Sequence, residues 1–156
     1  MNCKLIKSAT TLLALPLLAT LSTSALAARP TIIKLTQTPC QFLEVEARDY
    51  GFKSTKKADC DAINARTAKD RLSKAKVLKL KPGKYIFRVT NKNVPYSLGF
   101  YLRGAGILGR VTLPRVSGGG LYTGVTQDYA ITLKPGKYIY SCPLNTTPDY
   151  SLVVEG

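Results

Sequence analysis

The sequence predicts an all-β fold, a Greek-key β-sandwich with one inserted α-helix. Three observations support this prediction. Short runs rich in β-branched and aromatic residues follow one another closely, loops rich in Gly, Pro and Asn separate them, and a single stretch has helical spacing instead. Short strands arranged in this way are typical of a sandwich or barrel.

Extended segments are predicted on both sides of the helical stretch. The first strand is expected at residues 31–36, and a second extended piece at residues 41–47. The run Ser-Gly-Gly-Gly at residues 117–120 is expected to be a flexible hairpin connection. Beyond the helix, strands are predicted at residues 77–80, 85–90, 97–102, 108–113, 121–133, 137–142 and 150–154.

The helical stretch covers residues 54–76 and is rich in Ala, Lys, Arg and Asp. Ser54 or Thr55 is expected to cap its start, and Lys74 and Lys76 suit its negative C-terminal end. We expect one helix here, which lies on the sheets as an insertion. Apolar residues recur at helical spacing at Ala58, Ala62, Ala65 and Leu72.

The sequence contains one internal repeat. Leu-Lys-Pro-Gly-Lys-Tyr-Ile-Phe at residues 80–87 recurs as Leu-Lys-Pro-Gly-Lys-Tyr-Ile-Tyr at residues 133–140, 53 residues further along the chain. Two copies are too few for a solenoid. We therefore interpret them as two equivalent turn–strand units, placed symmetrically in the sandwich.

Residues 1–27 have the pattern of a signal peptide. Two lysines precede an uncharged run at residues 8–21, and small residues then indicate cleavage before Ala28. The run is short and contains Pro16, which disfavours a membrane span, although a retained N-terminal anchor is the alternative. We expect a single domain at residues 28–156, located in the periplasm or secreted.

Positive charge dominates the chain. Of its 23 Lys and Arg residues, two lie in the predicted signal peptide, which leaves 23 − 2 = 21 against nine Asp and Glu, a net charge of +12. Residues 71–127 contain eleven Lys and Arg and no acidic residue. Positive charge over such a length favours an anionic partner in the envelope, which could be an acidic protein, a lipid or a polymer. The alternative is that the charge only keeps the protein soluble. A nucleic-acid partner is not expected, because the charges are not interleaved with exposed aromatic residues in a nucleic-acid pattern and because export disfavours such a partner.

Three cysteines remain after Cys3 leaves with the predicted signal peptide: Cys40, Cys60 and Cys142. An oxidising destination favours one disulfide and leaves one cysteine over. We predict the pair Cys40–Cys60, because it would join the polar helical segment to the sandwich. Closing a loop of about 20 residues would stabilise the fold by roughly 3 kcal/mol in the chain-entropy model.

The segments around Cys142 resemble a known family. Residues 133–145, Leu-Lys-Pro-Gly-Lys-Tyr-Ile-Tyr-Ser-Cys-Pro-Leu-Asn, form a Pro-Gly turn, a strand that ends in cysteine and a short loop, and Tyr-Ser-Leu-Val-Val follows at residues 150–154. Residues 87–96 add a strand that ends at an asparagine and a loop that ends at Pro-Tyr. From residue 77 to the C-terminus the chain resembles the cupredoxins, the plastocyanin and azurin type. The resemblance implies a sandwich with a copper site at one end.

The resemblance also implies where the copper ligands would stand, and most of them are missing. Blue copper takes a thiolate, two imidazoles and a weak axial methionine, whereas this chain has no histidine and its one methionine is Met1. Tyr96 stands at the position of the first histidine, Asn145 at the C-x-x-H position after Cys142, and Tyr150 near the axial position. We expect no metal and no cofactor, with copper at an atypical site as the alternative.

Cys142 has two interpretations. Alternation places Tyr138, Tyr140 and Cys142 on the core face of one strand, where a free thiol behaves as a small apolar group. Alternatively, the thiol is reactive and serves redox or enzymatic chemistry. Tyr96, Asn145 and Tyr150 line a small polar pocket at the same end of the sandwich in one interpretation and are ordinary loop packing in the other.

Catalysis is not expected. Without histidine the chain has no Ser-His or Cys-His pair, and Glu44 and Glu46 share one face of an extended piece with nothing else converging on them. The predicted function is an exported, non-catalytic cupredoxin-like binding or accessory protein of the cell envelope, with a degenerate copper site and a basic surface. The alternatives are an atypical copper-binding or redox protein that uses Cys142, and a thiol-dependent enzyme.

Overall fold

A computed structural model describes residues 29–46 and 48–156. The predicted signal peptide, its cleavage site and Cys3 lie outside these residues. Within the described residues there are nine strands and two helices, and neither helix is long and apolar enough to cross a membrane. The strands are β1 (Thr31–Thr38), β2 (Gln41–Phe42), β3 (Leu78–Leu80), β4 (Gly83–Asn91), β5 (Leu98–Gly104), β6 (Val116–Leu121), β7 (Thr126–Leu133), β8 (Gly136–Ser141) and β9 (Tyr150–Val154), and the helices are α1 (Lys57–Lys74) and α2 (Gly106–Thr112).

The strands form two sheets, in the orders β2-β1-β4-β7 and β3-β9-β8-β5-β6. The prediction of an all-β sandwich is therefore confirmed. β1 runs parallel to β4, and β3 runs parallel to β9, while β4, β5 and β8 make antiparallel pairs with their other neighbours. The parallel pairing of β1 with β4 brings Thr31 beside Tyr85 and Gln37 beside Asn91.

Alternate residues of the strands form the core between the two sheets. Tyr138 and Tyr140 of β8 are buried, and so is Cys142 directly after it, as the alternation predicts. Phe42 packs edge-on against the ring of Tyr140, with the ring centroids 5.8 Å apart, and against Phe100 at 6.2 Å. Edge-to-face contacts of this kind add to the stabilisation that burial of the rings provides.

The two repeated segments adopt the same local structure in opposite sheets. In each, a glycine after proline has a positive φ, 155° at Gly83 and 152° at Gly136, which side chains rarely allow. The hydroxyl of Tyr85 then donates a hydrogen bond of 2.8 Å to the carbonyl of the lysine four residues earlier, and Tyr138 repeats this contact at 2.9 Å. Because Gly83 pairs with Leu133, just before the second turn, both Lys-Pro-Gly-Lys turns lie at the same end of the sandwich.

The strand predicted at residues 108–113 is wrong, because this segment forms the short helix α2. Gly104 and Gly109 explain the difference: a Cβ added to Gly104 would lie 2.1 Å from the carbonyl oxygen of Gly109. The chain therefore folds back onto the end of β5 in a close backbone approach that strand alternation cannot reveal.

The flexible connection predicted at residues 117–120 is also wrong. These residues belong to β6, an edge strand of the second sheet, and the strand predicted at 121–133 begins only at Thr126, as β7. A Cβ on Gly118 would lie 2.9 Å from the ring of Tyr129. Glycine is needed there because the strand passes close to the opposite sheet. The extended piece predicted at 41–47 is shorter, since β2 is Gln41–Phe42.

The helix α1 lies inside the stretch predicted to be helical, but the face that it buries is not the one on which the apolar residues recur. Ala58, Ala62, Ala65 and Leu72 are exposed, and the buried residues of α1 are Cys60 and Arg71. At its start the carboxylate of Asp59 accepts hydrogen bonds from the backbone N–H groups of Thr55 (2.8 Å) and Lys56 (3.1 Å), which lower the pKa of Asp59.

Candidate functional site

Cys142 follows β8 at the end of the sandwich opposite the two Lys-Pro-Gly-Lys turns. Its side chain is fully buried, and its Sγ accepts hydrogen bonds from the backbone N–H groups of Gly99 at 3.4 Å and Asn145 at 3.2 Å. Burial raises the pKa of the Cys142 thiol, and these N–H donors offset the rise only in part. The thiol is therefore neutral at pH 7.

Asn145 is fully buried and ties the loop after Cys142 to the turn between β1 and β2. Its Oδ1 accepts a hydrogen bond from the backbone N–H of Cys40 at 3.0 Å, and its Nδ2 donates to the carbonyl of Thr38 at 2.8 Å. Both ends of the amide are thus bonded to backbone groups that are themselves buried. Its role at this position is structural, because an unpaired buried donor or acceptor costs about 1–3 kcal/mol.

Tyr96 completes the group formed by Cys142 and Asn145. Its hydroxyl lies 2.6 Å from Oγ of Ser54 and donates to Oδ1 of Asn145 at 3.5 Å. The same hydroxyl lies 3.9 Å from Sγ of Cys60. Burial raises the pKa of Tyr96, so the phenol is neutral. Ser54, expected as a helix cap, is engaged in this contact instead.

Tyr150 lies in a different network. Its hydroxyl donates to Oε1 of Glu46 and accepts a hydrogen bond from the backbone N–H of Phe42 at 3.4 Å. Its ring stacks on Tyr140 with the centroids 5.6 Å apart. Among the described residues no hydrogen bond joins Tyr150 to Cys142, so the structure brings together Tyr96, Cys142 and Asn145 and places Tyr150 beside Glu46.

The network around Tyr150 contains a buried ion pair that the sequence does not predict. Arg71 of α1 donates to Glu46 through Nη2 at 2.6 Å and through Nε at 2.8 Å, and both side chains are 1% exposed. Arg71 also donates to the carbonyl of Cys40 at 2.9 Å and to Oδ1 of Asn64 at 2.6 Å. Burial acts to lower the pKa of Arg71, but the hydrogen bond and charge of Glu46 outweigh it and the pKa is raised. The expectation that no other functional side chain lies close to Glu44 and Glu46 is wrong, because Arg71 and Tyr150 both contact Glu46.

A pattern along α1 contains the signal for this pair. Cys60, Asn64, Thr67 and Arg71 are spaced by four, three and four residues, so they share one helix face. This polar face is the one that packs against the sandwich. The spacing of apolar residues does not indicate it, because the residues that are buried there are polar.

The disulfide Cys40–Cys60 is present, as the sequence analysis expects, with the two Cα atoms 5.0 Å apart. It joins α1 to the turn between β1 and β2. One of its two residues, Cys40, also donates its backbone N–H to Oδ1 of Asn145. Of the cysteines that the structure describes, Cys142 is the free one.

An open groove lies next to this end of the sandwich. It has a volume of about 440 Å³ and runs between the edge strand β6 and the loop after Cys142. Tyr101, Arg115, Gly118 and Leu144 are among its lining residues. Its position beside an edge strand makes it a surface feature, separate from the buried thiol.

The side chains at this end do not fit a blue copper ion. The donors are one neutral buried thiol, an amide whose two ends are bonded to backbone, and a phenol bonded to a hydroxyl, in place of a thiolate and two imidazoles. In residues 29–46 and 48–156, no three or more His, Cys, Asp and Glu side chains are grouped so that they could hold a metal ion.

The solved structure titled "Auracyanin B structure in space group, P65" is similar to this chain. The two share 13% sequence identity with a TM-score of 0.49, over 83% of this chain and 92% of auracyanin B. Similarity at this identity concerns the fold alone. No family model matches the chain, and no curated protein matches its sequence.

Proposed function

We propose that this chain is an exported, non-catalytic binding or accessory protein of the cell envelope, built on a cupredoxin-like sandwich with a degenerate copper site. The observation that carries the proposal is the bonding of Asn145. It stands at the C-x-x-H position, and both ends of its amide are bonded to the backbone of the turn between β1 and β2. The position that would supply an imidazole thus holds the loops together.

Two features support export to an oxidising compartment. The first 27 residues have the pattern of a signal peptide, and Cys40 and Cys60 form a disulfide. Disulfides persist mainly where the surroundings are oxidising and are rare in reducing compartments.

The charge distribution supports an anionic partner. Eleven Lys and Arg residues and no acidic residue occur between residues 71 and 127. Arg71 is buried with Glu46, and Arg88 pairs with Asp128 at 2.7 Å, but most of the lysines in this segment are exposed. A surface of one sign raises the association rate and affinity for a partner of the other sign.

The test combines metal titration with binding to an anionic polymer. Copper is added to the purified chain and to Cys142→Ser while the visible spectrum is recorded, and binding to dextran sulfate is measured from about 0.1 M to about 1 M salt, where the screening length falls from roughly 10 Å to roughly 3 Å. We expect no thiolate charge-transfer band and binding that weakens steeply with salt. A blue band, or affinity indifferent to salt, would overturn the proposal.

The alternative is an atypical copper-binding or redox protein that uses Cys142. One observation favours it: the two backbone N–H groups directed at Sγ would also stabilise a thiolate. This alternative predicts a charge-transfer band on copper addition that disappears in Cys142→Ser. A featureless titration of the parent chain would exclude it.

A further inference from the structure

The helix α2 exposes an apolar face. Ile107, Leu108 and Val111 are 85%, 80% and 81% exposed, and no residue of this helix is buried. Val111 is four residues after Ile107 and three residues after Leu108, so its side chain neighbours both on the helix surface and the three side chains form one patch. Exposed apolar clusters on an exported protein mark a surface that meets something else.

The patch is held in place by the fold. The backbones of Gly104 and Gly109 touch, because a Cβ on Gly104 would meet the Gly109 carbonyl at 2.1 Å. The N–H of Ala105 donates to the carbonyl of Lys137 at 2.8 Å, and the side chain of Leu113 fills the space over Gly136. The inner side of α2 is thus backbone and glycine, and its aliphatic side chains point outward.

Several basic residues lie at the same end of the sandwich as this patch. The contacts of α2 with Lys137 and Gly136 place it at the end of the sandwich where both Lys-Pro-Gly-Lys turns lie. Glu155 is also at this end, where it pairs with Lys81 at 3.8 Å. The exposed basic side chains at this end are Arg29, Lys81, Lys84, Arg110, Lys134 and Lys137.

We propose that the α2 end of the sandwich binds the surface of an anionic phospholipid bilayer. The three aliphatic side chains enter the boundary between headgroups and acyl chains, and the lysines of the two turns meet the phosphate groups. This inference rests on the proposed function and names the class of its anionic partner. A bilayer fits better than an acidic polymer, because a polymer would leave the three aliphatic side chains in water. It also fits better than an acidic protein, since a convex apolar patch would require a matching cavity in the protein.

The test uses the chain that begins at Ala28, because the apolar residues before it would bind lipid by themselves. Flotation with vesicles of phosphatidylcholine alone, or mixed with phosphatidylglycerol, measures binding. We expect binding to the anionic vesicles only. The triple variant Ile107→Ser, Leu108→Ser, Val111→Ser should lower the affinity at least about tenfold, and Lys134→Gln with Lys137→Gln should lower it by roughly fivefold per lysine.

Single tryptophans report the orientation on the vesicle. The chain has no tryptophan, so Leu108→Trp places one on the patch. Tyr122→Trp, at a side chain 63% exposed at the opposite end, is the matched control. We expect a blue shift of emission with anionic vesicles for Leu108→Trp and none for Tyr122→Trp.

Each other outcome overturns the inference in a different way. Salt-sensitive binding to dextran sulfate without binding to vesicles would refute the bilayer as the partner and leave the proposed function standing. Binding to neither would refute both the bilayer and the proposed function. Vesicle binding by the triple serine variant with the affinity of the parent chain would show that α2 does not contribute to binding. A blue shift of Leu108→Trp without vesicles, in a chain that is dimeric, would show that a second copy covers the patch.

Discussion

Replacing Arg71 with methionine tests the buried ion pair between α1 and the sandwich. The substitution keeps most of the side-chain volume but leaves the carboxylate of Glu46, 1% exposed, without its charged partner. Removing one partner of a buried pair costs about 3–5 kcal/mol, because the remaining charge stays buried and uncompensated. We expect Arg71→Met to lose this much of the free energy of unfolding.

Such a loss is large for a domain of this size. Total stabilities are about 5–15 kcal/mol, and for roughly 130 residues each kcal/mol shifts the thermal midpoint by about 3–5 °C. The midpoint of Arg71→Met should therefore fall by roughly 10–20 °C. Denaturant unfolding followed by circular dichroism gives the free energy directly. Arg66→Met, at an exposed position of the same helix, is the control and should change stability by less than about 0.5 kcal/mol.

A double-mutant cycle separates the ion pair from packing. Glu46→Gln removes the buried negative charge, so Arg71→Met should cost about 2 kcal/mol less in the Glu46→Gln background than in the parent chain. Strictly additive losses, or a loss below about 1 kcal/mol for Arg71→Met alone, would refute the conclusion that this pair holds α1 to the sandwich.

Three further predictions concern the repeat, the loop and the thiol. Tyr85→Phe and Tyr138→Phe should each lower the free energy of unfolding by about 1 kcal/mol, since both hydroxyls donate to the equivalent lysine carbonyl. The loss should be larger for Tyr138→Phe, because the hydroxyl of Tyr138 also accepts a hydrogen bond of 3.2 Å from the backbone N–H of Lys134. Asn145→Ala should cost about 2–4 kcal/mol, because it leaves a buried N–H and a buried carbonyl unpaired. Cys142 should react with iodoacetamide far more slowly in the native than in the unfolded chain. Because its folded-state pKa is raised, its contribution to stability is fully present below the unfolded pKa of about 8.5 and is lost as the pH rises above it.

The outcomes that contradict these predictions are distinct. A loss in Tyr138→Phe no larger than that in Tyr85→Phe would show that the additional hydrogen bond from the N–H of Lys134 contributes nothing to stability. An Asn145→Ala chain as stable as the parent would show that water or another side chain replaces the amide. A thiol labelled rapidly at pH 7 in the native state would contradict a neutral, buried Cys142. As the control for the pH dependence, Cys142→Ala should lose less stability than the parent chain at alkaline pH.

The strands around the Pro-Gly turns could be predicted from the sequence because their signals are local. β4 alternates over its whole length and β8 alternates as far as Tyr140, and their turns depend on a single proline and glycine. By contrast, α2 depends on contact between Gly104 and Gly109 and is stabilised by a backbone approach that no window of residues displays. β6 is not apparent from the sequence for a related reason, since Gly118 of this strand leaves room for the ring of Tyr129 in the other sheet.

The candidate site could be predicted only in part. Cys142 and Asn145 are three residues apart, so their proximity follows from a short loop, and the structure adds Tyr96 to them. Tyr150 was placed by the loop spacing of the cupredoxins, but its hydroxyl meets Glu46. The polar spacing along α1 indicates which face of the helix carries Arg71, but it does not identify Glu46 as the partner, because the two side chains come together only when α1 docks with that face inward.

The bridge between Cys40 and Cys60 bears on how this protein matures. It fastens α1 at the point where Asn145 holds the neighbouring turn, so a covalent bond is added to the ion pair through which Arg71 of α1 meets Glu46. If the chain is exported as we propose, this bond forms only once the chain reaches an oxidising compartment. The helix would then be held without the disulfide before export and with it afterwards.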